Sequence, residues 1–269
     1  MSSIWQTVRD GGLLADELII DAHAHLGPCA ELDTAKQDRC WEDDMLRYMD
    51  QCGVDVTICS LMPALNGDVP YGNSEMARVV AQHPRRMVGY TTINIRYGED
   101  EMSAELEKHL LQGNLKGIKI HPESGDWPVS SPLYRPLWIF AHEHQIPLLS
   151  HTWHSSPTCA PTMFAPIAQS FPRMPLIVGH SGGTVEGVLA SIEVARQSEN
   201  IYLDLCSSCM PDGMIELMVE SVGADRLLFG SDVCFYDGRA KIGQLAGARI
   251  SDEDKRRIFG RNAMQLFEL

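Results

Sequence analysis

No stretch of this 269-residue chain runs to 18 uninterrupted apolar residues, and its opening, MSSIWQTVRDGG, has no basic segment leading into an apolar one. The first absence argues against a membrane-spanning helix and the second against a secretory signal, so a soluble, unexported, cytoplasmic protein is expected. Basic residues are in short supply. Lys and Arg number 22 against 36 Asp and Glu, and the formal net charge of −14 disfavours nucleic acid or anionic membrane as the main partner and favours a small-molecule substrate. Eight cysteines, without dense regular spacing, read as reduced thiols rather than as a disulfide framework. Low-complexity tracts, long linkers and exact repeats are also missing. With 44% hydrophobic residues the chain can bury a substantial core, and a single domain over 1–269 is expected, with 1–16 as a lead-in and 251–269 as a closing helix.

What is present is an alternation of short apolar β-rich runs with amphipathic helical stretches, the pattern of βα units around a parallel sheet. Strands are expected near 17–24, 55–61, 87–93, 116–121, 146–151, 175–180, 201–205 and 226–231. Between them lie helical segments such as WEDDMLRYMDQCG, ending at Gly53, NSEMARVVAQH, starting at Asn73, and EMSAELEKHLLQG, ending at Gly113. Ser251 caps the last. Eight strand–helix repeats suggest a (β/α)8 barrel, whose chemistry sits at the C-terminal ends of the strands.

Reactive residues fall at those ends. The first strand closes with Asp21, His23 and His25, the fourth with Lys119 and His121, the fifth with His151, the sixth with His180 and the eighth with Asp232. Residues i and i+2 of a strand share a face, so His23 and His25 point together into the barrel mouth as half of a metal site. His151 can add a nitrogen and Asp232 an oxygen, a set suited to zinc, or to manganese, with one position open.

The motifs DAHAHLG, KGIKIHP, LLSHT, VGHSGG, LLFGSD and IFGRNAMQLF, taken together, resemble the amidohydrolase superfamily. The match is to the branch that holds aminocarboxymuconate semialdehyde decarboxylase, gamma-resorcylate decarboxylase and many metal-dependent hydrolases. The resemblance implies that His23, His25, His151 and Asp232 hold the metal and that His180 is a general acid or base, or a ligand to a second metal. In binuclear relatives a fourth-strand lysine is carboxylated and bridges two metals, which would be Lys119. The alternative for Lys119 is a salt bridge to Asp21 or Glu123. His121 is either a substrate contact or structural. Related barrels often form dimers, so a homodimer is one option.

Three functions follow. The leading one is hydrolysis of an amide, ester or lactone bond by a metal-activated water, with Asp232 as general base. The second is non-oxidative decarboxylation of an aromatic or muconate-like organic acid. The third is a non-catalytic binding barrel, which would have no need of inward ligands on four strands. Strand-end arginines able to hold an acid are scarce, Arg96 and Arg135 being nearest, and this favours hydrolysis. The loops NGDVPYGN and PESGDWPVSSPLYRP should form the substrate rim, where Trp127, Tyr134 and Arg135 either hold a flat anion or pack. His154 is a rim or exposed loop residue. His83, His109, His142 and His144 are expected at helix surfaces or caps. The CSSC of Cys206 to Cys209 reads as incidental.

Overall fold

The computed structural model describes residues 3–28, 41–207 and 210–269. Cys209 of the CSSC sequence lies outside the described residues.

Eight parallel strands follow one another in sequence order: β1 Ile20–Leu26, β2 Val56–Leu61, β3 Met87–Ile93, β4 Gly117–Ile120, β5 Leu148–Ser150, β6 Leu176–Val178, β7 Ile201–Asp204 and β8 Leu227–Leu228. The sheet closes into a (β/α)8 barrel through backbone bonds between the first strand and the segment after the last: Ala22 N donates to Phe229 O at 2.9 Å and Asp232 N to His23 O at 2.9 Å. Helices pack outside. The helix Glu42–Cys52 is stopped by Gly53, whose φ of 71° is cheap only without a Cβ. The next helix, Val69–Gln82, starts earlier than its Asn73 suggested, because Asp68 caps it and Pro70 occupies its first turn. Asn73 is instead buried, donating to Thr92 O and to Glu105. Ser251 caps the closing helix as expected, accepting from Asp254 N at 3.0 Å.

Two apolar cores follow from the period-2 pattern of the strands. Alternate positions such as Ile118, Ile120, Leu176, Val178 and Leu203 face outward onto Met49, Met76, Leu137, Trp138 and Val188 of the helices. The intervening Ile20, Ala22, Ile58, Tyr90, Leu149, Ile177 and Leu228 fill the lower barrel with Phe267 from the C-terminal segment. Above this plug the inward positions turn polar.

β1 makes the change by breaking its own period. Its register with β2 shifts between Asp21, opposite Thr57, and Ala24, opposite Cys59, so three steps on β1 match two on β2. The bulge turns two successive residues to one side. Ile20 and Ala22 belong to the inner plug, His23 and His25 line the mouth, and Ala24 and Leu26 pack outward with the helices. Asp21 is left on the outer side, at the closing seam. There Oδ1 accepts from Ser231 N at 3.0 Å and from His23 N at 3.2 Å, while Oδ2 accepts from Ser231 Oγ and from the Tyr48 hydroxyl. Burial pushes its carboxyl up to about 7 even with these donors.

Removing the Asp21 carboxylate would strand the buried Ser231 donors at the seam. Asp21→Ala is expected to destabilise the fold by about 3 kcal/mol, read as a lower denaturation midpoint at unchanged slope.

Candidate metal centre at the barrel mouth

His23 and His25 on β1, with Asp232 just past β8, bring two imidazole nitrogens and one carboxylate oxygen within 4.8 Å of one another, all buried. Each imidazole has its far nitrogen tied back. Nδ1 of His23 lies 2.5 Å from Asp204 Oδ2, and Nδ1 of His25 lies 2.9 Å from Ser60 Oγ. Their Nε2 atoms are thereby aimed inward, that of His25 standing 3.2 Å from Asp232 Oδ1. Apart from that approach, Asp232 Oδ1 is buried with no hydrogen-bond partner among the described residues. A buried carboxylate oxygen beside two oriented imidazoles is a donor set that fits a divalent cation.

The protonation states agree with that fit. Burial, reinforced by Lys119, lowers His23 well below the ordinary histidine range, and burial lowers His25 despite the pull of Asp232. Both rings are neutral and keep a lone pair. Burial alone would raise the Asp232 carboxyl, but His25, His180 and His23 around it outweigh that and hold it well below the usual carboxylate range.

His180 follows β6 with φ 57°, and Asp232 has φ 58°, so both sit in left-handed backbone that β-strand geometry would not give them. His180 Nδ1 lies 2.7 Å from the Cys206 carbonyl, which leaves Nε2 as its exchangeable nitrogen. Its ring is 4.7 Å from that of His23 and 4.8 Å from that of His151. His151 lines the same pocket, but its Nε2 turns to Glu123 Oε2 at 3.4 Å, and its ring stacks on His121 at 4.1 Å. The structure therefore gathers His23, His25 and Asp232, with His151 one ring further out.

Lys119 points inward from β4, and its Nζ lies 2.9 Å from His23 Nε2. Neither expected salt bridge is made. Asp21 faces the other side of β1, its oxygens held by Ser231, Tyr48 and His23, and Glu123 stands out at the rim. Burial lowers Lys119 to about 8, with Asp232 acting the other way.

A pocket of about 260 Å³ opens over these groups. Its apolar walls are Met62, Leu65, Trp153, Phe235 and Tyr236, all missed in the sequence because they lie in the short segments after strands, outside any periodic run. Of PESGDWPVSSPLYRP, Glu123 and Ser124 line the pocket, while Tyr134 is buried against Trp138 and Arg135 sits over Phe171; the other nearby arginine, Arg96, binds Gly125 O and Asp126. Of NGDVPYGN, Asn66 lines the pocket, and from residue 69 the segment is helix. His154 is exposed, and His109 is buried beside Glu105, not at the surface. Ser60 and Asp204 were also missed, although both stand near the C-terminal ends of their strands.

Gly230 makes the crowding possible. A Cβ there would lie 2.4 Å from Asp204 Oδ1 and 2.9 Å from His23 Cβ.

Residues 20–269 match the family model described as Amidohydrolase. The chain is 24% identical to a gamma-resorcylate decarboxylase of Polaromonas sp. strain JS666, over 85% of this chain and 87% of the relative. It is 21% identical to a 2-amino-3-carboxymuconate-6-semialdehyde decarboxylase of Dictyostelium discoideum, over 86% of this chain and 77% of the relative. A crystal structure of a dihydroxybenzoic acid decarboxylase from Polaromonas sp. JS666, with bound manganese and the inhibitor 2-nitroresorcinol, superposes with a TM-score of 0.73 at 18% identity, covering 94% of this chain and 97% of that one.

These relatives overturn the expectation of hydrolysis with Asp232 as general base, because they are decarboxylases. The arginine argument behind that expectation fails for a physical reason. The pocket needs no arginine to meet an acid, since Lys119 already places a cation beside the donor set.

Gly230→Ala is expected to force Asp204 and His23 apart, at a cost of about 1–3 kcal/mol in stability. Calorimetric titration of the variant with a divalent ion should show weakened binding.

Proposed function

The chain belongs to the amidohydrolase family, and from that premise we propose that it is a divalent-metal-dependent, non-oxidative decarboxylase of a small aromatic or muconate-like acid. The observation that carries this reading is one small pocket that His25, Asp232, the Lys119 amine and His180 face together, with His23 buried behind them to complete the N,N,O donor set. His23, His25 and Asp232 would hold the ion, with His151 recruited to complete the shell. Manganese is favoured over the zinc suggested by the sequence, on the strength of the manganese bound in the similar dihydroxybenzoic acid decarboxylase. When bound, such an ion supplies the positive charge that orients an anionic substrate and stabilises charge developing on its oxygens.

The remaining chemistry belongs to side chains. Lys119 offers an ammonium to the substrate carboxylate or a ring oxygen, and His121 lies beside it as a further contact. Met62, Leu65, Trp153 and Phe235 surround the rest of the substrate with apolar surface and exclude water from the reacting carbon. As the bond to the carboxylate breaks, carbon dioxide leaves and the bonding pair stays on the carbon. The imidazolium form of His180 gives its Nε2 proton to complete the new C–H bond and is left neutral, with Nδ1–H still donating to the Cys206 carbonyl.

Two measurements test this. Carbon dioxide release from a panel of dihydroxybenzoates and carboxymuconate-like acids should require manganese, vanish on chelation and return when the ion is restored. A panel with no release in the loaded protein would remove the reading. His180→Ala is expected to keep its metal and lose about 10²–10⁴-fold in kcat, whereas His151→Ala should weaken metal binding. Metal loss in His180→Ala would instead move that residue into the coordination shell.

A further inference from the structure

Asp204 ends β7 with a buried carboxylate that touches only parts of the site. Oδ2 lies 2.5 Å from His23 Nδ1 and accepts from the backbone N of His180 at 3.2 Å, and Oδ1 accepts from the backbone N of Cys206 at 2.8 Å. An ionised carboxylate only accepts hydrogen bonds, so Nδ1 of His23 must carry the ring proton and the lone pair must sit on Nε2. A second contact favours the same assignment. The Lys119 ammonium only donates, and it lies 2.9 Å from that Nε2. Gly230 shows that the space is shaped around this carboxylate, since any Cβ there would collide with Asp204 Oδ1.

We infer that Asp204 is a positioning residue, which fixes His23 as the Nδ1–H tautomer with its Nε2 lone pair toward His25, Asp232 and Lys119 and, through the same oxygen, holds His180 at a set distance from it. The tautomer follows from these contacts with the Asp204 carboxylate ionised. Its consequence for metal affinity rests on the metal-dependent reading above. A carboxylate behind a ligating imidazole raises its basicity and locks its ring, and loss of such a partner weakens metal binding about 10–100-fold. The shared oxygen also ties the ligand to the proton carrier, across a ring separation of 4.7 Å.

The test uses intact protein labelled with ¹⁵N-histidine, with the His23 signals assigned by their loss in His23→Gln. Wild type should show Nδ1 protonated and Nε2 bare. In Asp204→Asn the amide can donate as well as accept, so a shift toward the Nε2–H tautomer is expected, with the manganese Kd raised about 10–100-fold. Ser181→Ala separates positioning from plain structural support, because Ser181 Oγ donates to the Asp204 backbone carbonyl at 2.7 Å and does not touch its carboxylate. That variant should melt earlier with its manganese Kd within threefold of wild type. An Nε2–H tautomer in wild type, or manganese binding by Asp204→Asn within threefold of wild type, overturns the inference. If wild type binds no manganese, the metal reading fails and the tautomer still decides the role of Asp204. If Asp204→Asn does not fold, the wild-type spectrum decides alone.

Discussion

One extra residue in β1 governs the rest of the site. In a closed eight-stranded barrel the interior is just wide enough for the side chains that fill it, and a strict period of two would let β1 present either its apolar set or its histidines to that interior. The register shift between Asp21 and Ala24 lets it present both, Ile20 and Ala22 to the plug below and His23 and His25 to the mouth above. The same shift leaves Asp21 on the outer side, where it binds the segment after β8 and so fixes Asp232 opposite the histidines.

A polar layer above an apolar plug is stable only if its members satisfy one another. Here each inward group has a defined partner on another strand: His23 on Asp204, His25 on Ser60, His180 on the Cys206 carbonyl. Asp232 Oδ1 is a buried oxygen with no hydrogen bond among the described residues, and it stands 3.2 Å from His25 Nε2, within reach of His23. A cation at that oxygen would complete the donor set.

The decarboxylase reading, which the relatives favour, does not rely on arginine. Lys119 lies in the pocket itself, where an acid group can reach it, whereas Arg96 and Arg135 are taken up by loop carbonyls, Asp126 and Phe171. A lysine buried at this depth is costly, and its neighbourhood of Asp232 and Asp204 is what keeps its positive charge favourable.

The sequence by itself determined the barrel, the strand order and the strand ends at which chemistry would appear. Hydrophobic period, caps and turn residues are local signals, and the H-x-H pair, Lys119, His121, His151, His180 and Asp232 all lay at apolar run ends. Only the tertiary structure decided which of these groups meet. The bulge in β1 is invisible to period counting because Ile20, Ala22, His23 and His25 are all consistent with a buried strand. Asp204 gained its role from closure of the barrel, which brings it to His23 from 181 residues away, whereas Ser60 meets His25 through the β1–β2 register and His151 turns to Glu123 in the segment after β4. Spacing along one strand fixes the face of a side chain. The partner across the barrel depends on register and closure, which no local pattern records.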